Sequence, residues 1–152
     1  MRDPLADPAP LIRRVYAYVA YRLGPGPHAE DVTSEVFERA LRYRASFDPK
    51  RGDPAAWLLG IARRAIADAA AEPVAPGSER HAVAGPEEAA PARLDVVAAV
   101  AQLEVRDREL VALRYGADLT ARQIAELLEL RVNTVEVALH RALARLRELL
   151  QP

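Results

Sequence analysis

Apolar residues recur every three or four positions through most of the chain, the spacing of one buried face of an α-helix. The first such face consists of Ile12, Val15, Tyr16, Val19 and Leu23. The Gly-Pro run at 24–27 ends that helix. The second face consists of Ala29, Val32, Val36, Phe37, Ala40 and Tyr43. No segment alternates apolar and polar residues convincingly with a period of two, so the pattern predicts an all-α chain.

A third helix is predicted to begin at Asp53-Pro54, because Asp is a favoured N-cap and Pro is favoured at the first helical position. Its apolar face consists of Trp57, Leu58, Ile61, Ala65 and Ile66. These three helices form the first predicted domain, residues 8–71.

Residues 72–92 differ in composition from the rest of the chain. They hold four prolines and two glycines, and their only large aliphatic residues are Val74 and Val83. Such a segment buries too little apolar surface to offset the entropy of ordering it. The composition predicts a flexible linker, with a small helical domain on either side.

The second predicted domain covers residues 93–152, and its last two helices carry the sharpest pattern. Thr120 is a candidate N-cap for a helix containing Ile124, and Asn133 is a candidate N-cap for the final helix. The final helix has an apolar stripe of Val135, Leu139, Ala142, Leu143, Leu146 and Leu149. Small Ala125 suits the close crossing of a helix-turn-helix. A plain amphipathic hairpin fits the same pattern.

Composition excludes several classes of function. The chain has no cysteine, and its histidines (His28, His81 and His140) lack metal-ligand spacing. No phosphate-binding glycine loop or catalytic triad spacing occurs. We therefore expect no metal, no cofactor and no enzymatic activity. Because no apolar run has the length of a signal peptide or a membrane span, we also expect a cytoplasmic protein without membrane insertion.

The charge is nearly balanced in both predicted domains. Residues 1–71 have a net charge of +2, residues 72–92 of −3, and residues 93–152 of zero. A protein that holds DNA through phosphates alone needs a more basic surface. Any nucleic-acid role must therefore be weak or gain affinity from a partner.

Motifs in both halves of the chain occur in a specific order. The first half carries Ala29-Glu30-Asp31-Val32, Glu35-Val36-Phe37, Phe47-Asp48-Pro49 and Trp57-Leu58-Leu59-Gly60-Ile61-Ala62-Arg63 with Asp68. The second half carries Arg106-Asp107-Arg108-Glu109-Leu110, Leu113-Arg114-Tyr115, Gln123-Ile124-Ala125-Glu126-Leu127-Leu128 and His140-Arg141-Ala142. With these motifs the chain resembles an extracytoplasmic-function (ECF) sigma factor of the sigma-70 superfamily, a bacterial transcription initiation factor.

The resemblance implies partners and sites. The implied partners are core RNA polymerase, through its β′ clamp and β flap, promoter DNA and an anti-sigma factor. Residues 8–71 would be the region 2-like domain and residues 93–152 the region 4-like domain. The implied polymerase-docking residues are Glu30, Asp31, Ser34, Glu35, Glu38, Arg39 and Arg42. Charge alone favours a solvated face, since Glu35–Arg39 and Glu38–Arg42 are spaced as helical ion pairs, and only the resemblance favours docking.

The resemblance also implies two DNA-contacting surfaces. The residues for recognition and melting of the −10 element would be Tyr43, Arg44, Phe47, Asp48, Lys50, Arg51, Trp57, Arg63 and Arg64. Phe47 and Trp57 fit a role as core residues that hold the loop in place as well. The −35 recognition helix would offer Arg131, Asn133, Thr134, Glu136, Val137, His140, Arg141 and Arg145.

Four features depart from the family pattern. Glu129 replaces a turn glycine and is expected to be strained, and Glu136-Val137-Ala138 replaces Lys-Ser-Arg. Arg64 replaces asparagine, and alanines follow Asp68 where arginines are usual. Fewer positive charges weaken attraction to DNA. They motivate an alternative: a sigma-like regulator or decoy that does not itself initiate transcription.

Overall fold

A computed structural model describes residues 3–71 and 91–151 of the chain. Within these ranges the secondary structure is entirely helical, which confirms the predicted all-α fold. The α-helices are α1 (Pro8–Leu23), α2 (Pro27–Arg42), α3 (Pro54–Ala71), α4 (Pro91–Gln102), α5 (Val105–Val111), α6 (Ala121–Leu128) and α7 (Val132–Leu150). A 3₁₀ turn covers Arg44–Ser46, and a π-helical turn covers Ala112–Gly116.

The predicted linker falls almost wholly on residues 72–90, which lie outside the described ranges. Its last two residues belong to α4, which begins at Pro91. The predicted start of the second domain at residue 93 therefore lies two residues inside a helix.

Prolines and short polar side chains set the helix boundaries. Proline is the first residue of α1, α2, α3 and α4. The lack of an N–H costs nothing there, because the first N–H groups of a helix have no partner within the helix. Asp53 caps α3 as predicted, its Oδ1 accepting from the Ala56 N–H at 2.9 Å. Gly24 ends α1 at a φ of 88°, a conformation that favours glycine.

The turn between α6 and α7 has the geometry of a helix-turn-helix connection. Thr120 caps α6 as predicted, in a reciprocal pair with Gln123 at 3.1 and 2.9 Å. Glu129 ends α6 in the left-handed region, with φ 57° and ψ 45°, so the predicted backbone strain is confirmed.

The predicted cap at Asn133 is wrong. Arg131 has extended backbone, and its carbonyl accepts from the Val135 N–H at 3.1 Å, so α7 begins at Val132. Asn133 lies within the first turn because the left-handed Glu129 ends α6 abruptly and allows the next helix to start sooner.

The strain at Glu129 leads to a stability prediction. Glu129→Gly should raise the free energy of unfolding by about 0.5–1 kcal/mol, because a left-handed residue with a Cβ costs roughly 1–2 kcal/mol, partly offset by the entropy of glycine. Urea unfolding measures the change. Glu126→Gly, a change of the same kind at an exposed position inside α6, should instead lower stability by about 1 kcal/mol. Equal effects at both positions would contradict the prediction.

Helices α1–α3 and helices α4–α7 share one apolar core. A continuous cluster of buried side chains includes Val15, Val19 and Leu58 from the first group and Leu113 and Leu119 from the second. The π-helical turn lies against α1, and α6 also contacts α3. We call α1–α3 the first module and α4–α7 the second module. In this structure the two modules are in direct contact along an extended interface.

Candidate nucleic-acid interface

Helix α7 presents a polar face opposite its buried stripe. Val135, Leu139 and Ala142 are buried against the second module. Because a helix repeats every 3.6 residues, the intervening side chains point away from that core. The exposed residues on this side are Arg131, Asn133, Thr134, Glu136, Val137, His140 and Arg141. Seven of the eight residues predicted for −35 recognition therefore lie together on one accessible surface.

Arg145, the eighth residue, is engaged within the protein. Its Nη1 donates to Oδ2 of Asp107, a carboxylate on α5 that is only 7% exposed. An ionised carboxylate at that depth needs a cationic partner or hydrogen bonds. The structure therefore gives Arg145 a packing role between α5 and α7.

The loop after α2 holds the residues predicted for the −10 element. Tyr43 is 53% exposed, whereas Phe47 is 6% exposed and contacts Trp57 edge to face, with ring centroids 5.5 Å apart. The structure thus supports the packing role for Phe47, and Tyr43 is the aromatic side chain left accessible for a base. The exposed polar residues around it are Arg44, Asp48, Lys50 and Arg51.

Asp48 organises this loop. Its Oδ1 accepts from the Lys50 N–H and its carbonyl accepts from the Arg51 N–H, both at 3.0 Å. These bonds form a tight turn that projects the side chains of Lys50 and Arg51 into solvent. Two exposed cations and an accessible tyrosine in the same loop are of the residue types that bind a single strand through its phosphates and a base.

Arg63 and Arg64 on α3 have different surroundings. Arg64 is exposed, but Arg63 Nε donates to Oε1 of Glu109 at 2.8 Å. The Glu109 carboxylate also accepts from the Tyr18 hydroxyl at 2.8 and 3.0 Å and from Arg22. Arg63, which was predicted for the −10 element, is therefore paired with a residue of the second module.

This cluster raises the pKa of two of its members. Burial and the neighbouring Glu109 charge raise the pKa of Tyr18 above its ordinary value, so its hydroxyl remains a donor. Burial is the largest influence on Arg22 and lowers its pKa, but the charges and hydrogen bonds of Glu109 and Tyr18 together outweigh it, so the net shift in pKa is upward.

Sequence reasoning did not single out Tyr18 or Arg22, and it quoted Glu109 only as part of the Arg106–Leu110 motif. The signal that could have indicated the Glu109 cluster is the pair of acidic residues Asp107 and Glu109, which lie two residues apart on the short helix α5. Side chains at that spacing point to nearly opposite sides of a helix. One carboxylate accordingly faces α7 and the other faces the first module.

The exposed side of α2 carries five of the seven residues predicted for polymerase docking. Glu30, Asp31, Ser34, Glu38 and Arg42 are exposed. The predicted Glu35–Arg39 pair is present at 3.0 Å. Arg39 also donates to Asp68 at 2.9 Å, and hydrogen bonding to Glu35 raises the Arg39 pKa despite partial burial. Within the described ranges Glu38 and Arg42 form no ion pair with each other, unlike Glu35 and Arg39.

Neither a metal site nor a membrane span is found among the residues that the structure describes. No group of three or more His, Asp or Glu side chains there could hold a metal ion. None of the helices there is both long and apolar enough to span a bilayer.

Comparison with known families matches both modules separately. Residues 10–72 match the Sigma-70 region 2 family, and residues 93–146 match the Sigma-70 region 4 family. Together these matches cover most of the chain. They coincide with α1–α3 and with most of α4–α7, the modules that carry the two candidate surfaces.

Individual relatives point the same way. The ECF RNA polymerase sigma factor SigK of Mycobacterium ulcerans is 30% identical over 156 residues, covering 90% of this chain and 80% of that protein. The ECF sigma factor BldN of Streptomyces coelicolor is 50% identical over 54 residues, which are 36% of this chain and 20% of that protein.

Two solved structures share the fold. The sigma factor RpoE in its complex with the anti-sigma factor NepR from Bartonella quintana superimposes with a TM-score of 0.70 at 19% identity, covering 92% of this chain and 91% of that one. CnrH in complex with the cytosolic domain of CnrY gives a TM-score of 0.63 at 25% identity, covering 91% and 80%.

The fold and the paired region 2 and region 4 matches define a sigma-70-type transcription initiation factor. The chain belongs to the ECF sigma factor family.

Proposed function

We propose that this chain carries core RNA polymerase to promoters, with α2 docking on the polymerase, the loop after α2 engaging the −10 element, and α7 reading the −35 element. The observation that carries the proposal is the exposed face of α7, positioned by the turn at Glu129 and backed by a buried stripe. A helix presented in this way fits the major groove. The chemistry of RNA synthesis belongs to the polymerase, in the cytoplasm.

The side chains on that face suit base recognition. Arg141 can donate two hydrogen bonds to guanine, Glu136 can accept from the amino group of cytosine, and Val137 can contact a thymine methyl group. Arg131 and Asn133 lie at the N-terminal end of α7, where backbone N–H groups attract phosphate.

An anti-sigma factor is a further proposed partner. The similar structure of RpoE contains the anti-sigma factor NepR, and that of CnrH contains the cytosolic domain of CnrY. A fold shared over nine-tenths of this chain supports a comparable complex.

The charge balance supports dependence on polymerase. With zero net charge in the second module, duplex DNA releases few counterions on binding, so the free protein should bind it weakly. Once both modules are held on polymerase, each promoter contact becomes intramolecular and gains effective concentration.

Selection from a pool of genomic fragments tests this proposal. With core polymerase present, the chain should enrich a small set of fragments that share two spaced motifs. The chain alone should enrich none at physiological salt. Tight, sequence-specific binding by the chain alone would contradict the dependence on polymerase, and enrichment of no fragment with polymerase present would contradict promoter recognition.

A second candidate is the regulator or decoy that occupies polymerase without initiating transcription. The observation favouring it is the loss of free cations: Arg63 and Arg145 are paired to buried carboxylates, and Glu136 adds a negative charge to α7. Transcription from a template opened in advance separates the two candidates. A decoy binds core enzyme but yields no specific transcript from closed promoters. On the template opened in advance, a decoy still does not direct transcription to a specific start site.

A further inference from the structure

The candidate recognition face of α7 contains one acidic side chain, that of Glu136, among its seven exposed residues. Glu136 is the fifth residue of α7, which begins at Val132. Residues near the N-terminal end of a recognition helix are the ones that reach base edges in the major groove. When α7 enters the groove, this carboxylate therefore approaches bases and phosphates, and a negative charge there needs a hydrogen-bond donor.

The packing of α7 fixes the direction in which Glu136 points. Val135 and Ala142 are fully buried and Leu139 is 7% exposed, so one side of the helix is held against the core. Glu136 lies about 100° around the helix from Val135, outside that buried stripe. A rotation of α7 that turned the carboxylate away from the groove would expose Val135. The side chain is thus directed by its scaffold.

Helix α7 offers no arginine or lysine at the spacing that would neutralise Glu136. Helical ion pairs form between residues three or four positions apart. The positions at that spacing hold Val132, Asn133, Leu139 and His140. In the groove, the donors within reach of the carboxylate are therefore those of the DNA bases.

An ionised carboxylate only accepts hydrogen bonds, and this restricts the bases that it can meet. In the major groove guanine presents two acceptors, and thymine presents an acceptor and a methyl group, so both leave the charge without a donor. Cytosine and adenine each present an amino group. The adenine amino group lies between two acceptors, its own N7 and the thymine O4, whereas the cytosine amino group has an acceptor on one side only. Cytosine is therefore the base that suits Glu136 best.

We propose that Glu136 is a specificity-determining residue that requires a cytosine at one position of the upstream promoter motif. The inference rests on the proposed function, because it assigns a base to the helix that reads the −35 element. A wrong base removes a contact and also leaves a desolvated carboxylate without a donor, which penalises that base further. The chain should discriminate cytosine from the other bases at this position by about tenfold to a hundredfold.

Exchange of Glu136 should change the identity of the preferred base. Glutamine pairs with adenine in the major groove, and arginine pairs with guanine. Glu136→Gln should therefore change the preference at that position from cytosine to adenine, and Glu136→Arg should change it to guanine. The other positions of the motif should keep their preferences. A residue that only stabilised the helix would not produce a new base preference.

Glu148 provides the matched control on the same helix. It is exposed and lies 12 residues beyond Glu136. That spacing places it about 18 Å further along the axis of α7. Glu148→Gln and Glu148→Arg make the same changes of charge outside the candidate recognition face, and they should leave the motif unchanged. The positive charge that either arginine adds should strengthen binding to all sequences alike, and added salt should weaken that effect.

Two selections measure the base preference. In the first, the full-length chain and core polymerase select from a pool of random duplexes at physiological salt. In the second, the chain alone selects from the same pool at low salt, where phosphate contacts are stronger. Circular dichroism shows whether each variant is folded. The wild-type chain should enrich the same cytosine in both selections.

Loss of the cytosine preference at one position in the Glu136 variants, with the rest of the motif retained, supports the proposal. A wild-type motif without a preferred cytosine would overturn it, as would Glu136 variants that select the wild-type motif or Glu148 variants that change it in the same way. If polymerase brings no enrichment but the chain alone selects cytosine and the Glu136 variants do not, the base assignment stands and the proposed function fails. If neither selection yields a motif, both fail.

Discussion

Leu113→Ala should lower the free energy of unfolding by about 3–4 kcal/mol, and both modules should lose stability. Leu113 is fully buried in the cluster shared by the two helix groups. Truncating a buried leucine removes its transfer free energy and leaves a cavity, which together cost about 2.7–5 kcal/mol. Because the core is continuous, the first module should lose stability along with the second.

The single tryptophan makes this testable. Trp57 lies on α3 in the first module, packed against Phe47, so its fluorescence reports that module, while circular dichroism reports all the helices. In urea, both signals of Leu113→Ala should shift together to a lower midpoint. Leu149→Ala, at a position that is 40% exposed, should shift neither signal appreciably. A Trp57 transition at the wild-type midpoint, beside an earlier one in circular dichroism, would show that the modules unfold independently.

Arg141→Ala should reduce promoter-directed transcription by about tenfold to a hundredfold while leaving stability nearly unchanged. Arg141 is exposed on the candidate recognition face of α7. A good bidentate contact from arginine to guanine discriminates by about 1–3 kcal/mol. The variant should also lose preference at one or two bases of the upstream motif. Run-off transcription across a set of promoter variants measures both effects.

Arg145→Ala, four residues further along α7, should have the opposite pattern of effects: lower stability with unchanged promoter preference. Its removal leaves Asp107 without the partner that the structure gives it and should lower stability by about 1–2 kcal/mol, since Asp107 is buried but Arg145 is half exposed. Promoter preference should be unchanged. A loss of base preference in the Arg145→Ala variant, or its absence in the Arg141→Ala variant, would contradict the assignment of the two arginines.

Local signals predicted the helices well. Caps such as Asp53 and Thr120, and the glycine and proline run after Leu23, act over three or four residues, and the structure confirms them. The strained turn at Glu129 was expected only from the family resemblance, in which glycine is usual at this place, and the structure shows the positive φ. Asn133 failed as a cap because the N-cap of α7 lies two residues earlier, at Arg131, directly after the left-handed turn at Glu129.

The contact between the modules could not be predicted from local patterns. The sequence marks Val15 and Leu113 as apolar positions in two predicted domains, but it does not show that both belong to one buried cluster. Nor does it show that Arg63 and Arg145 are paired to Glu109 and Asp107, since each arginine lies on a plausible DNA-facing surface. These pairings depend on the relative positions of helices that are distant in sequence. The spacing of residues along one helix carries no information about those positions.

Run-off transcription tests the central claim most directly. Bacterial core RNA polymerase, the purified full-length chain and a genomic promoter library are combined, and the 5′ ends of the transcripts are mapped. We expect discrete start sites that depend on the chain and share two spaced upstream motifs. A transcript set identical to that of core enzyme alone would contradict its role as an initiation factor.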